Sequence, residues 1–327
     1  MKNSNRLVLR LHRGAAFGSL VWMATAQAQT LPPISPERLW SEGDRIEALT
    51  VLGGDNSAAG GAYSLRGSTR ADLQVDKFGG GGDLGDPRPM GDSGIRWNPV
   101  ISGNIGYVSA TGPVSQAPLD GNTIDVSTFG IQFGGGARFW FNDHFSLAPS
   151  LSGLYGRTEQ TFNALTDAGK LYLPAMQQAG WVDWRVDTWT VVPTLDLQYQ
   201  WSWKRVEFQF NSTFDYYHTE SFESTSPLLV VNGNSQSWKN TLDVDIPLGF
   251  ELFGHEVHTG GFIDQNQLFG NVREGLETDH IYTVNGRLVL DFLGTWPIVR
   301  WMGLGASYFW SANFSGWAIG IDIKMKF

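Results

Sequence analysis

The chain contains no cysteine. This excludes disulfide frameworks, thiolate metal sites and cysteine nucleophiles together. It also lacks any run of about 18 or more apolar residues, so no segment reads as a membrane-crossing helix. Charge is sparse at 17% of residues, while aromatics reach 13%. Disordered chains show the opposite balance. Glycine is abundant, 40 of 327 residues, beside 20 Phe and 14 Trp. Glycines and aromatics without long apolar runs point to strands that are apolar on one face only.

Residues 1–28 read as an export signal. Lys2, Arg6, Arg10 and Arg13 form a basic start, Gly14 to Ala24 a short run of small and apolar residues, and Ala26-Gln27-Ala28 an Ala-x-Ala cleavage pattern. That segment carries four basic residues and no acid, so its removal takes the net charge from −9 to −13. A mature chain this acidic has no electrostatic case for nucleic acid.

The remainder repeats with period two. Trp317, Ile319, Ile321, Ile323, Met325 and Phe327 fall on one face of the last segment, and Ala318, Gly320, Asp322, Lys324 and Lys326 on the other. Leu242, Val244, Ile246, Leu248, Phe250 and Leu252 alternate with Asp243, Asp245, Pro247, Gly249 and Glu251. Trp189 through Trp201, Val206 through Tyr216, Tyr282 through Phe292 and Phe129 through Phe141 behave alike. Several segments exceed ordinary strand length and carry aromatics at their ends, as in the girdles of a transmembrane strand. In lipid such strands must close on themselves, since no backbone group can be left unpaired. The expected fold is therefore all-β, an antiparallel transmembrane β-barrel.

Strands are predicted near 97–110, 126–141, 145–160, 187–201, 205–219, 238–252, 256–268, 280–293, 298–311 and 316–327. A further hairpin, Arg45 to Leu52 with Ala62 to Phe78, would raise ten strands to about twelve, which is the preferred count. The connections 142–144, 202–204, 253–255 and 294–297 are tight, whereas 111–125, 161–186, 220–237 and 269–279 are long. Only 312–315 breaks the rule. Long loops belong outside the cell and short turns in the periplasm. Gly79 to Gly94 reads as a flexible turn. Prolines 99, 149, 193 and 247 predict bulges or strand ends. Ser35 to Leu49 opens like a helix and is a candidate for the lumen. The expected organisation is a signal peptide over 1–28, a short segment with a lumen helix as candidate over 29–44, and the barrel over 45–327.

The last strand resembles the insertion signal of outer-membrane barrels, which the barrel-assembly machinery reads. Trp317, Ile319, Gly320, Ile321, Ile323, Met325 and the terminal Phe327 carry that likeness. The remainder resembles autotransporter translocator barrels, which have about this length, twelve strands and a helix before them. Only about 15 residues separate the cleavage pattern from the first candidate element. The chain therefore looks most like solitary autotransporter-type barrels without a passenger. The resemblance implies an outer-membrane location, contact with outer-membrane lipid and a structural or translocator-type role, with a monomer expected.

Chemical motifs are few. Asp183, Asp187, Asp215, His218 and Glu220 gather near the predicted external rim, but Asp215 and His218 fall on opposite faces of one strand. His255 and His258 have a spacing that suits a helix face better than a strand face, and no phosphate loop follows Gly79 to Gly82. No catalytic residue, metal site or cofactor is expected. Arg138, Asp196, Glu207, Asp215, Asp243, Asp245, Glu251, Arg287, Asp291 and Asp322 are the candidate lumen charges. Their bland reading is mutual pairing. The sharper one is a small cation-preferring diffusion channel, porin-like in kind, since rings of acid select cations. An outer-membrane hydrolase is the third alternative.

Phe327 generates the first prediction. Losing its side chain should cost a finished barrel only about 1.5–3 kcal/mol of burial. Deleting Phe327, or changing it to Asp, should leave refolding in detergent intact and strongly lower the outer-membrane level in cells, measured by membrane fractionation. Normal membrane levels of the deletion would refute the signal.

Overall fold

The computed structural model describes residues 36–54, 61–67, 72–114, 119–292 and 299–325. Helix α1 (Pro36–Gly54) precedes thirteen strands: β1 (Gly61–Gly67), β2 (Asp72–Asp83), β3 (Arg88–Pro89), β4 (Arg96–Pro113), β5 (Thr123–Trp140), β6 (Phe145–Asn163), β7 (Trp184–Trp203), β8 (Val206–Ser224), β9 (Asn232–Leu252), β10 (His255–Gly270), β11 (His280–Asp291), β12 (Val299–Trp310) and β13 (Phe314–Met325). Helix α2 (Asp167–Gln178) lies between β6 and β7, and α3 (Asn271–Leu276) between β10 and β11.

β3 is a two-residue ladder folded back on β4. The wall is made by the other twelve strands, all antiparallel. β2 pairs with both β1 and β4, and β1 pairs with β13, so the ring of strands closes. Alternation sets the two faces. On β5, Phe129, Ile131 and Phe133 are exposed while Thr128 and Gln132 are buried. On β13, Trp317, Ile319 and Ile321 are exposed and Ala318 is buried. The outer face is thus the apolar one and the polar face looks inward, the reverse of a water-soluble barrel. Rings crowd its two ends, with Tyr282, Trp310 and Tyr308 stacked near one mouth and Trp201 on Phe208 near the other.

The count of about twelve stands, but its first pair differs from the prediction. Arg45 to Leu52 is not a strand. It belongs to α1, which runs on to Gly54 and so extends the helix past the expected 44/45 boundary. The first hairpin is β1 with β2. Gly79 to Asp83 is strand, not flexible turn. Gly79 opposes Asn104 and Gly81 opposes Ser102 on β4 at a range that leaves no room for a side chain. The long connection 161–186 contains α2, and 269–279 contains α3.

The prolines divide. At Pro247 the β9–β10 register shifts, with Gly249 at φ 76° beside it, and the expected bulge is there. Opposite Pro149 the ladder to β5 is interrupted, and opposite Pro193 the ladder to β8, both without a change of register. Each proline simply withholds one donor. Pro99 keeps its pairing with Ala137.

One mouth carries the long connections and the other the tight ones at 141–144, 204–205 and 253–254. At the long-loop mouth the β4–β5 and β6–β7 connections pack together around Val114, Leu119, Phe162, Tyr172 and Met176. Asn122 pins them. Its Oδ1 accepts from the amides of Leu165 (2.8 Å) and Thr166 (3.0 Å), and its Nδ2 donates to the Leu119 carbonyl (2.7 Å). Thr166 in turn caps α2 by accepting from Gly169 N at 3.0 Å. Unmaking these bonds in a fully buried residue should cost about 1–3 kcal/mol. Asn122→Ala should therefore leave the barrel intact on gels and speed proteolysis within 164–183 roughly ten-fold or more, as local opening becomes easier. Unchanged cleavage would show that the apolar packing alone holds these loops.

Candidate functional site in the lumen

The lumen of the long-loop half is filled by α1. Gly43 lies beside the carbonyl of Val230, in the connection between β8 and β9, so the helix enters from the long-loop mouth. From there it meets the wall in several directions. Ile46 packs with Trp184, Val186, Leu229 and Val231. Val51 packs with Val192, Tyr217, Leu268 and Val272. Leu49 and Leu52 lie against Val75, Val108 and Ala318. A helix apolar on most sides belongs in an enclosed core, and the barrel supplies one.

Such close approach needs space in the wall. A Cβ on Gly156 of β6 would meet the side chain of Thr50, one on Gly233 of β9 would meet the carboxyl of Glu47, and one on Gly275 of α3 would meet Asp44 O and Ala48 Cβ. These three glycines form the seat of α1.

Two carboxyl groups sit in that seat. Glu47 is fully buried, and its Oε1 accepts from the Ser235 hydroxyl at 2.7 Å. Burial pushes Glu47 up to about 7, against hydrogen bonds from Ser235 and Asn271 that favour the ionised form. Asp44 is pushed to about 6 by burial and by the neighbouring Glu274, Arg45 opposing.

The short-turn half is polar. Arg138 binds Asp83 at 3.0 Å, Asp196 at 3.1 Å and Gln198 at 2.7 Å. Arg287 makes a bidentate pair with Asp243, at 2.6 and 2.7 Å, and lies 4.7 Å from the centre of the Trp301 ring. His258 Nδ1 is 2.7 Å from Asp245, and its Nε2 lies 3.8 Å from both Glu256 and Asp291. A cavity of about 380 Å³ opens here, lined by His144, Glu207, Asp243, Asp245 and Arg287 among others. Among the described residues, acids outnumber bases on this inner face.

Of the predicted lumen charges, Arg138, Asp196, Glu207, Asp215, Asp243, Asp245, Arg287 and Asp291 lie on the inner face, as strand alternation requires. Asp322 pairs with Gly303 in register, and its side chain lies outside those described. Glu251 differs. It lies beyond the bulge at Pro247, opposite Glu256 beside the 253–254 turn, and is exposed. In the insertion strand Trp317, Ile319 and Ile321 are outward, Gly320 pairs with Gly305, Ile323 and Met325 keep the ladder with β12, and Phe327 lies outside the described residues.

The rim acids are not gathered into one group. Asp183 accepts from Phe162 N at 2.8 Å in the α2–β7 connection. Asp187 is on the outer side, held by Arg157 (2.7 Å) and Tyr155 (2.5 Å). Asp215 is inside and accepts from Thr194 at 2.6 Å, while His218 is outside with Asn234 at 2.9 Å and Glu220 at 3.3 Å. His255 lies against Phe292 with its Nδ1 3.1 Å from the Asp291 carbonyl, whereas His258 turns to the Asp245 carboxylate. Among the described residues no cluster of three or more His, Asp and Glu could hold a metal. Glu47 and Asn122 were not singled out from sequence.

No curated protein shows a significant sequence match to the chain. Solved structures share its fold. The translocator domain of the autotransporter NalP from Neisseria meningitidis has a TM-score of 0.54 at 9% identity, covering 88% of this chain and 94% of that one. The β domain of the Bordetella autotransporter BrkA has 0.52 at 16% identity, covering 83% and 100%. The transport unit of AIDA-I from Escherichia coli has 0.51 at 10% identity, covering 87% and 98%. The sequence itself matches the family described as solitary outer membrane autotransporter beta-barrel domain over residues 88–323. With that match spanning most of its length, and with the closed twelve-strand wall and lumen helix behind it, the chain belongs to this family of outer-membrane barrels.

Proposed function

We propose that the protein is a translocator-type barrel held shut by its own α1, with no catalytic role. The packing of α1 against β2, β4, β7, β8, β10, β13 and α3 is the observation that carries this reading. The signal peptide over 1–28 brings the chain across the inner membrane. The long-loop mouth faces the exterior and the tight turns the periplasm. The outward face of β13 meets lipid, and its terminal residues address the barrel-assembly machinery by strand addition.

A second reading is supported by the vestibule. Acid excess around Glu207, Asp243 and Asp245 would make the lumen cation-preferring once the helix leaves. A barrel of this size lies between the filled eight-stranded and the open sixteen-stranded kinds, so the helix decides whether ions pass.

Deleting 36–54 should leave the barrel heat-modifiable on gels and raise single-channel conductance in planar bilayers several-fold, with cations favoured. Equal conductance with and without the helix would show that α1 is not the barrier. Turnover of a peptide or lipid substrate by the purified protein would overturn the non-catalytic assignment.

A further inference from the structure

A carboxyl enclosed in a lumen, away from any ion pair among the described residues, is costly when ionised. Glu47 is such a group, fully buried where α1 faces β9 and α3. Its Oε1 accepts from the hydroxyl of Ser235 on β9, and the same hydroxyl accepts from Val272 N of α3 at 3.0 Å. Ser235 therefore joins the plug helix, the wall and α3 at one point. Gly233, two residues earlier on the inner face of β9, provides the space in which the carboxyl lies.

The charged surroundings add little that would hold an anion there. On α1 itself Asp44 is one turn before Glu47, with Arg45 next to it. On α3, Glu274 faces Asp44, and Arg273 is engaged by Asp279. From β8, His218 acts on Glu47 only from the outer side of the strand. From β9 and α3 the direct neighbours are the uncharged Ser235 and Asn271. Ionisation of Glu47 thus places a negative charge beside Asp44, which itself faces Glu274, with the uncharged Ser235 and Asn271 as its direct support.

We propose that Glu47 makes α1 a pH-dependent latch: the helix is seated while this carboxyl is neutral, and ionisation of the carboxyl favours its release and the opening of the lumen to ions. The proposal rests on the reading of α1 as the barrier.

The sign follows from linkage. Seated, Glu47 titrates at about 7, and its ordinary value is 4.5. The seated state therefore holds its proton more tightly. Below about pH 4.5 both states are protonated and the seat is at its strongest. Between 4.5 and 7 the seat weakens as pH rises, and above 7 the weakening is complete. The full swing in the seating equilibrium is about 300-fold for this group. Asp44, at about 6 against 3.8, acts in the same direction.

The test is the conductance of the purified full chain in planar bilayers from pH 4.5 to 8, beside Glu47→Gln and the 36–54 deletion. The wild type should be silent at pH 4.5 and show openings that become more frequent through pH 5–7. Glu47→Gln, which keeps the shape and cannot ionise, should open far less often at pH 8 than the wild type, with only the smaller rise that Asp44 contributes. The deletion should conduct at every pH. A wild type whose activity does not change with pH, or a Glu47→Gln protein that opens at pH 8 as the wild type does, overturns the latch. A deletion that conducts no better than the wild type at pH 4.5 overturns the plug beneath it, so the two failures are distinct. Should Glu47→Gln fail to assemble, judged by heat-modifiability, the wild-type titration against the deletion decides alone.

Discussion

A backbone amide facing hydrocarbon has no water to turn to, so its partner must be the next strand. Every other feature of this molecule follows from meeting that demand around a full circle. The strands are long because they must cross the bilayer, and their outer positions are apolar because they meet lipid. The polar half of each strand is thereby forced inward, where Arg138, Arg287 and the acids must satisfy one another or water. Even the prolines fit this frame. Pro149 and Pro193 each interrupt one ladder and leave the register intact, so the ring loses a bond without losing its closure.

The inside of the ring poses the opposite problem, since twelve strands enclose more space than their side chains fill. In the long-loop half this space is occupied by a helix. Burying Ile46, Val51, Leu49 and Leu52 there replaces water that polar inner faces would otherwise hold. The seat is shaped by small residues, Gly156, Gly233 and Gly275, and by hydroxyls, Thr188 and Ser235. In the short-turn half the inner face is ionic, and among the described residues no helix reaches it. One tube thus contains an apolar, occupied compartment above a polar, open one.

The wall was legible because its signal is local: each strand repeats its pattern every two residues, and tight turns at one mouth alternate with long connections at the other. The lumen was much less so. Arg45 to Leu52 offers Ile46, Ala48, Thr50 and Leu52 in strand spacing, yet it also offers Ile46, Leu49 and Val51 to a helix that is contacted on most sides. Only the enclosing wall decides between them. Glu47 looks in the sequence like an ordinary solvent-facing helix charge. Its burial depends on Gly233 and Ser235, far along the chain, and no local pattern carries that information. Helix α2 was hidden for another reason: Pro174 stands in its middle and Leu171, Tyr172 and Leu173 run consecutively, so neither period shows. Glu251 was misplaced because a bulge ends the alternation on which its facing was read.

The ring is closed by β1, which pairs with β13 across nearly the whole length of the chain, Tyr63 meeting Ala318. That same strand is joined to α1 through residues 55–60 alone. The seam that closes the ring is therefore covalently tied to the helix inside it. Six residues span at most about 20 Å when fully extended. The strand that seals the wall thus also sets how far the helix can travel from its seat, so the closing seam and the contents of the tube share one tether.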